Sequence, residues 1–264
     1  MDLKLENKLA LVTGSTAGIG LAIAKSLAAE GARVILNGRT QDRVNEALEK
    51  IRQAHPQAKL EGLAADLSKP EGAEETIRRF PAVDILVNNL GRYEHRPFEE
   101  TSDADWKNII ELNFMSGVRL SRHYLPRMKE ANWGRIIFLS SESGVHIPPD
   151  MIHYGVTKAM YLALSRGLAE TTTGTAVTVN AVLPGPTRSE GVGRFIEQIA
   201  RDKGISSQEV EEEFFKSVRP TSILKRFAST EEVAHLVTYL ASPLASATNG
   251  AALRVDGGVV RSMI

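Results

Sequence analysis

Leu9-Ala10-Leu11-Val12-Thr13-Gly14-Ser15-Thr16-Ala17-Gly18-Ile19-Gly20 is the stretch whose reading decides how this chain folds. Its first four residues are a short, wholly apolar run of the kind found in a strand buried on both faces. Three glycines follow, and then Leu21, Ile23, Ala24, Leu27 and Ala28 recur at helical spacing. Strand, glycine-rich turn and helix form the context in which a dinucleotide is held. The glycines permit a tight turn and close backbone approach, and the helix amino terminus faces the pyrophosphate. The spacing G-x-x-x-G-x-G differs from G-x-G-x-x-G, and a glycine loop by itself is also an ordinary strand–helix turn.

The next apolar run, Ala32-Arg33-Val34-Ile35-Leu36-Asn37, reads as a second buried strand and ends in Gly38-Arg39-Thr40. A unit that binds NAD carries a carboxylate here, about 20 residues past the first glycines, for the ribose 2′-hydroxyl. Gly38 stands in that place and Arg39 follows, which suits a 2′-phosphate held by a guanidinium. The other reading of Arg39 is a solvated residue at the head of a helix. On the phosphate reading, Gly38→Asp with Arg39→Ala is expected to reverse the cofactor preference.

Beyond this unit the alternation continues. Helical patterns cover 41–54, 70–80, 103–129 (with Asn113 inside) and 231–241, and strand patterns cover 59–65, 84–87, 134–140, 177–183 and 251–255. Repeated strand–helix units with buried strands predict a parallel sheet covered by helices on both faces. Residues 186–220 break the rhythm and are too many for an unstructured loop. Phe195, Ile196 and Ile199 predict one short helix there, and Ser206-Ser207-Gln208-Glu209 a capping box before a second. Such a pair is either a lid or a surface excursion that contacts another subunit.

Tyr154-Gly155-Val156-Thr157-Lys158 lies in a further helical run, 153–172. Positions four apart share a helix face, so Tyr154 and Lys158 point the same way. An ammonium beside a phenol is expected to lower its pKa and fit it for proton transfer. Taken alone, such spacing is more often an ordinary helical pair. Ser141, at the end of the strand run 134–140, changes the balance, because the loop after it can bring its hydroxyl against Tyr154.

Composition narrows the function further. Lys+Arg and Asp+Glu are both 32, so the formal charge is zero and no basic excess exists to hold a nucleic acid. The absence of cysteine removes disulfides, thiolate metal sites and cysteine nucleophiles. No apolar run approaches the roughly 20 residues that cross a bilayer. Residues 1–8 lack the apolar core of a signal peptide. These features are read as a soluble, cytoplasmic protein without metal, nucleic-acid or membrane partners.

Taken together, Thr13 to Gly20, Asp66, Asn88-Asn89-Leu90-Gly91, Asn113, Ser141, Tyr154 with Lys158, Pro184-Gly185 and Val255-Asp256-Gly257-Gly258 resemble the motifs of the short-chain dehydrogenase/reductases, in order and over essentially the whole chain. The resemblance implies a doubly wound α/β fold with a parallel seven-stranded sheet; with no linker in the sequence, one domain over residues 1–264 is expected, with 186–220 as its helical lid. The resemblance also implies a catalytic tetrad. Tyr154 would be the acid or base at the substrate oxygen, and Lys158 would lower its pKa and hold the nicotinamide ribose. Ser141 would bond the substrate oxygen, and Asn113 would fix a water leading from Lys158. Gly14, Ser15, Gly18, Ile19 and Gly20 would cradle the pyrophosphate, and Asp66 and Leu67 would meet the adenine. Asn89 and Gly91 would lie at the adjoining ribose, and Pro184, Gly185, Thr187 and Ser189 near the carboxamide. Tyr93, His95, Val145 and His146 are expected to face the substrate. The expected cofactor is NADP(H), with NAD(H) as the alternative, and the expected assembly is a homotetramer.

Leu90 replaces the alanine usual in that motif, and Ala17 stands where some NADP-dependent members carry a basic residue. Much of the chain resembles the 3-oxoacyl-carrier-protein reductases, yet Asn132 and Thr175 replace basic residues of that branch. An oxidoreductase acting on a carbonyl or secondary alcohol is therefore the leading expectation. Reduction of an acyl thioester is the second, and a cofactor-binding sensor that has lost the chemistry is the non-enzymatic rival.

Overall fold

The computed structural model describes residues 2–263. Its frame is a seven-stranded parallel sheet of β1 (Leu9–Val12), β2 (Arg33–Gly38), β3 (Leu60–Ala64), β4 (Ile85–Asn88), β5 (Gly134–Leu139), β6 (Val177–Pro184) and a last strand, Ala252–Val255, in the order β3-β2-β1-β4-β5-β6 followed by that strand. The chain runs outward from β1 to β3, returns to the other side of β1 as β4, and runs outward again. The order therefore reverses between β1 and β4, where Ala10, Leu11 and Val12 pair with Ile85, Leu86 and Val87. A crevice opens at the carboxyl ends of the strands at such a reversal.

Strand period fixes which helices cover which face. Ala10, Val12, Val34, Leu36, Ile85, Val87, Ile137 and Leu139 point to one side. There they meet the buried residues of α1 (Gly18–Ala29), α2 (Gln41–Ala54) and a late helix, Thr230–Ala241. The alternate residues Leu11, Ile35, Leu86, Ile136 and Phe138 point to the other side. They join α3 (Pro70–Arg79) and the helices that carry Asn113 and Tyr154. Successive residues of a strand face opposite ways, so every inner strand is apolar at nearly every position.

Residues 103–129 are not one continuous helix, contrary to the periodicity. They form α4 (Asp103–Ile110), a five-residue π-helical segment, Glu111–Met115, and α5 (Ser116–Glu130). The π segment adds one residue to a turn, a change that hydrophobic spacing hardly registers. Tyr154 and Lys158 stand on α6 (Ile152–Glu170).

The excursion after β6 does contain two helices, α7 (Glu190–Lys203) and α8 (Ser207–Ser217), and Ser206 and Glu209 form the expected capping box. They bury a cluster of their own, Ile196, Ala200, Val210, Phe215 and Phe227. Two short strands, β7 (Thr187–Arg188) and β8 (Ala228–Ser229), pair at the base of the excursion. The last two elements are α9 (Thr230–Ala241) and β9 (Ala252–Val255). Among the described residues no helix is long and apolar enough to cross a membrane.

Candidate active site

The glycine loop between β1 and α1 is tied at both flanks. Gly14 and Gly18 take positive φ (60° and 56°), a conformation that side chains disfavour. On one side Asn37 holds the loop, accepting from Gly14 N through Oδ1 (3.1 Å) and donating through Nδ2 to Leu63 O and Ala65 O. On the other, Asn89 donates through Nδ2 to Thr13 O (2.9 Å) and Gly14 O (3.0 Å). Leu90 packs its Cδ1 over Gly14, where a Cβ would stand 3.3 Å away, and its N–H donates to Thr13 Oγ1. Its bulk thus closes the floor of the loop.

Several side chains expected at the cofactor are engaged elsewhere. Ser15 is fully buried, its Oγ donating to Val12 O and accepting from Asn37 N. Leu67 is 1% exposed and belongs to the core. The side chain of Asn89 serves the loop. Ser15 and Leu67 thus have only main-chain groups left to offer, and Asn89 its Oδ1 besides. Asp66 Oδ1 accepts from both Ser68 N and Ser68 Oγ. Thr187 Oγ1 donates to Gly185 O, while Ser189 caps α7 and lies 3.4 Å from where a Gly18 Cβ would be. Pro184 closes β6, with Gly185 next.

The amino termini of α1 and α2, like those of α3 and α6, carry no side-chain cap, whereas α4, α7, α8 and α9 each begin on a capping serine. Free N–H groups therefore stand at the head of α1, behind the glycine loop, and at the head of α2, behind Arg39. Arg39 is exposed and has no hydrogen-bond or ion-pair partner among the described residues. This arrangement fits a dinucleotide pyrophosphate at one helix and a 2′-phosphate at the other. At Gly38 the fit is tighter than the sequence indicates, because a Cβ there would come within 2.4 Å of Thr16 Cγ2 and 3.1 Å of Val44 Cγ2. The expected reversal by Gly38→Asp with Arg39→Ala overlooks this crowding.

Tyr154, Lys158, Ser141 and Asn113 converge at the carboxyl ends of β4 and β5. Ser141 follows β5 and opens a short 3-10 turn, Glu142–Gly144, by accepting from Ser143 N. That turn lies directly on α6, since a Cβ on Gly144 would touch the Lys158 backbone at 2.9 Å. Lys158 Nζ donates to Leu139 O (2.8 Å) and stands 3.1 Å from where a Gly91 Cβ would be. Asn113, in the π segment, is fully buried. It exchanges two hydrogen bonds with the Arg92 backbone and donates to Thr157 Oγ1 (3.1 Å). Its side chain thus ties the loop after β4 to α6.

Burial dominates the ionisation of this cluster. It pushes the Tyr154 phenol up to about 12; the Ser141 hydroxyl beside it lowers the value, Glu142 and Tyr93 raise it and Arg219 lowers it. It brings the Lys158 ammonium down to about 8. The net shift of the phenol is therefore upward, not the downward one expected beside an ammonium. Lys158 Nζ sits 5.7 Å from the ring centroid and bonds a carbonyl, and removal from water outweighs the nearby charges.

Of the residues expected to face the substrate, Tyr93 meets Tyr154 edge-on at 6.2 Å. Val145 and His146 are exposed beyond the serine turn, and His95 Nδ1 pairs with Asp150 at 2.7 Å. The sequence did not disclose Glu142 and Arg219. These two form a buried ion pair, Nε to Oε1 at 2.9 Å, between the serine turn and the segment after α8. Its only signal was a glutamate directly after Ser141.

A family model described as Enoyl-(Acyl carrier protein) reductase matches residues 14–260. The oxidoreductase YvaG of Bacillus subtilis is 50% identical over the whole of both chains. The 3-oxoacyl-[acyl-carrier-protein] reductase FabG of Aquifex aeolicus is 34% identical, over 98% of this chain and 100% of that one. The L-sorbose reductase of Gluconobacter frateurii, solved with NADPH and L-sorbose, has a TM-score of 0.92 and 32% identity with full coverage of both chains. Similarity that runs from end to end in sequence and in fold decides the matter, and this chain belongs to the short-chain dehydrogenase/reductase family.

Proposed function

We propose that this oxidoreductase transfers hydride between NADP(H) and a ketone, aldehyde or secondary alcohol, with Tyr154 as the acid–base residue. The observation that carries the reading is the convergence of Tyr154, Ser141 and Lys158 beside a glycine loop whose helix presents uncapped N–H groups. The nicotinamide supplies the hydride when bound.

In the reducing direction the Tyr154 hydroxyl gives its proton to the substrate oxygen. A phenol whose pKa burial raises is protonated at neutral pH and so carries the proton to be given. Ser141 donates to the same oxygen and orients it. Lys158, ionised below about 8, provides positive charge that favours the phenolate left after transfer. Asn113 keeps the loop after β4 seated against α6 and so holds Gly91 over Lys158. The first helix turn and glycine loop would hold the pyrophosphate, and Arg39 the 2′-phosphate.

The second reading, reduction of a thioester on an acidic carrier protein, has the FabG likeness in its favour. Against it, Asn132 and Thr175 carry no charge, and Asn132 Oδ1 is engaged by Ala176 N. We further propose one domain with α7 and α8 as its lid, and a homotetramer. Half-exposed Met160 and Leu164 on α6, with Ile223 83% and Met263 99% exposed, offer apolar surface for contacts between subunits.

The test is a turnover screen of ketones and their alcohols with NADPH and NADH, run beside Tyr154→Phe and Ser141→Ala. Tyr154→Phe is expected to bind cofactor and lose nearly all turnover, and Ser141→Ala to lose about 10²–10³-fold. Arg39→Ala is expected to weaken NADPH about 10- to 100-fold and leave NADH unchanged. A Tyr154→Phe variant as active as the parent would end this reading.

A further inference from the structure

Glu142 and Arg219 lie 77 residues apart and meet in the interior beside the candidate site. Glu142 is 3% exposed and Arg219 8%, so neither is a solvated charge. Glu142 directly follows Ser141, and its carbonyl accepts from Val145 N and His146 N, which closes the serine turn. Arg219 lies just past α8, its N–H donating to Phe214 O and its Nη1 to Val218 O. The side chains join only through Arg219 Nε and Glu142 Oε1, at 2.9 Å; Glu142 Oε2 is buried with no hydrogen-bond partner. A buried pair contributes little net stability, because desolvation offsets most of its attraction. This one is also incompletely satisfied, which makes folding alone a poor reason for it.

We propose that Glu142 and Arg219 are a positioning pair for the reaction, seating the end of the α7–α8 excursion against the serine turn and holding two opposed charges beside the Tyr154 phenol. The proposal rests on the functional reading above for its kinetic consequences but not for its structural ones. The phenol is faced by Ser141 from the serine turn, Lys158 from its own helix, Tyr93 from the loop after β4, and the two members of the pair. Glu142 raises the phenol pKa more than Arg219 lowers it, so the two members of the pair oppose each other at the phenol and removing one leaves the other unopposed. Movement of the excursion that carries Arg219 away would therefore disturb Ser141 and the proton balance of Tyr154 together.

Two variants separate position from charge. Glu142→Gln keeps an oxygen that can accept from Arg219 Nε but removes the negative charge. Arg219→Met removes the bond. The full-length proteins are compared first by hydrogen exchange, without substrate. Arg219→Met is expected to raise exchange by about tenfold or more in residues 141–146 and 207–217 together, and Glu142→Gln to change it little. The second measurement is the pH dependence of alcohol oxidation, using the ketone–alcohol pair turned over fastest in the screen.

There Tyr154 acts as base, and in Glu142→Gln it faces a guanidinium that cannot lose its proton. Its rising limb is expected to move to lower pH by roughly half a unit or more. The double variant, without either charge, is expected to bring the limb part of the way back toward the parent. Unchanged exchange in 141–146 for Arg219→Met, or an unmoved limb for Glu142→Gln, would overturn the proposal. Equal loss of stability in all variants with fixed limbs would assign the pair to folding alone. Tyr154→Phe with normal turnover would instead refute the functional reading, and the exchange comparison would still judge the pair.

Discussion

Burial takes the Lys158 ammonium out of water and lowers its pKa from 10.5 to about 8, with Leu139 O as its acceptor. A lysine whose folded pKa lies below its unfolded one lowers stability. The penalty is full below the folded value, fades as pH rises toward 10.5, and is absent above that. Lys158→Met, of similar shape, is accordingly expected to lose turnover yet gain about 1–3 kcal/mol of stability at pH 7. Urea unfolding across pH would check this, with the gain shrinking from pH 8 upward. Thr16 carries a second prediction at this scale. Its Cγ2 lies 2.4 Å from the Cβ position of Gly38, so Gly38→Asp alone is expected to weaken both cofactors. Adding Thr16→Ala removes that methyl and leaves Thr16 Cβ at 3.6 Å, an ordinary contact, and Val44 Cγ2 at 3.1 Å, which must give by a few tenths of an ångström. The double variant is expected to bind NADH more tightly than NADPH, as read by fluorescence titration of the two reduced cofactors.

Among the elements, the excursion is built to hold its shape with little help from the sheet. Phe214, Phe215 and Phe227 stack around one another with centroids 5.0–5.1 Å apart, and Phe215 is 2% exposed. Both helices begin on a capping serine, and Glu211 fastens the base by accepting from Arg188 Nη1 and Phe227 N. Phe215→Ala is expected to cost about 3–5 kcal/mol locally. Limited proteolysis would then cut within residues 190–217 while the sheet keeps its unfolding midpoint. A midpoint that falls with the loop would mean the excursion is part of the main cooperative unit. The π segment is the other element that matters. It puts Asn113 where Arg92 and Thr157 can both be reached, which ties the loop above Lys158 to the helix below it.

For the molecule as a whole, parallel register brings every strand end to one side, so groups from residue 14 to residue 219 surround one crevice. The proposed tetramer belongs to this scale. A light-scattering mass of four times 28.8 kDa is expected at micromolar concentration, and a mass of one chain would contradict it.

Residues whose role depends on near neighbours were legible without coordinates. The apolar runs at 9–12 and 136–139 read as strands buried on both faces, and alternation of strand and helix left a parallel sheet as the consistent outcome. The capping box at Ser206 and the shared face of Tyr154 and Lys158 follow from helical period alone. What the chain order could not express was decided in three dimensions. The direction of the Tyr154 shift is set by the loss of water around it, a sum over all neighbours rather than over one charge four residues away. The space at Gly38 is taken by Thr16, from a different loop. Asn113 needs a turn wider than its hydrophobic spacing records. The partner of Glu142 lies 77 residues on, where no local pattern points to it.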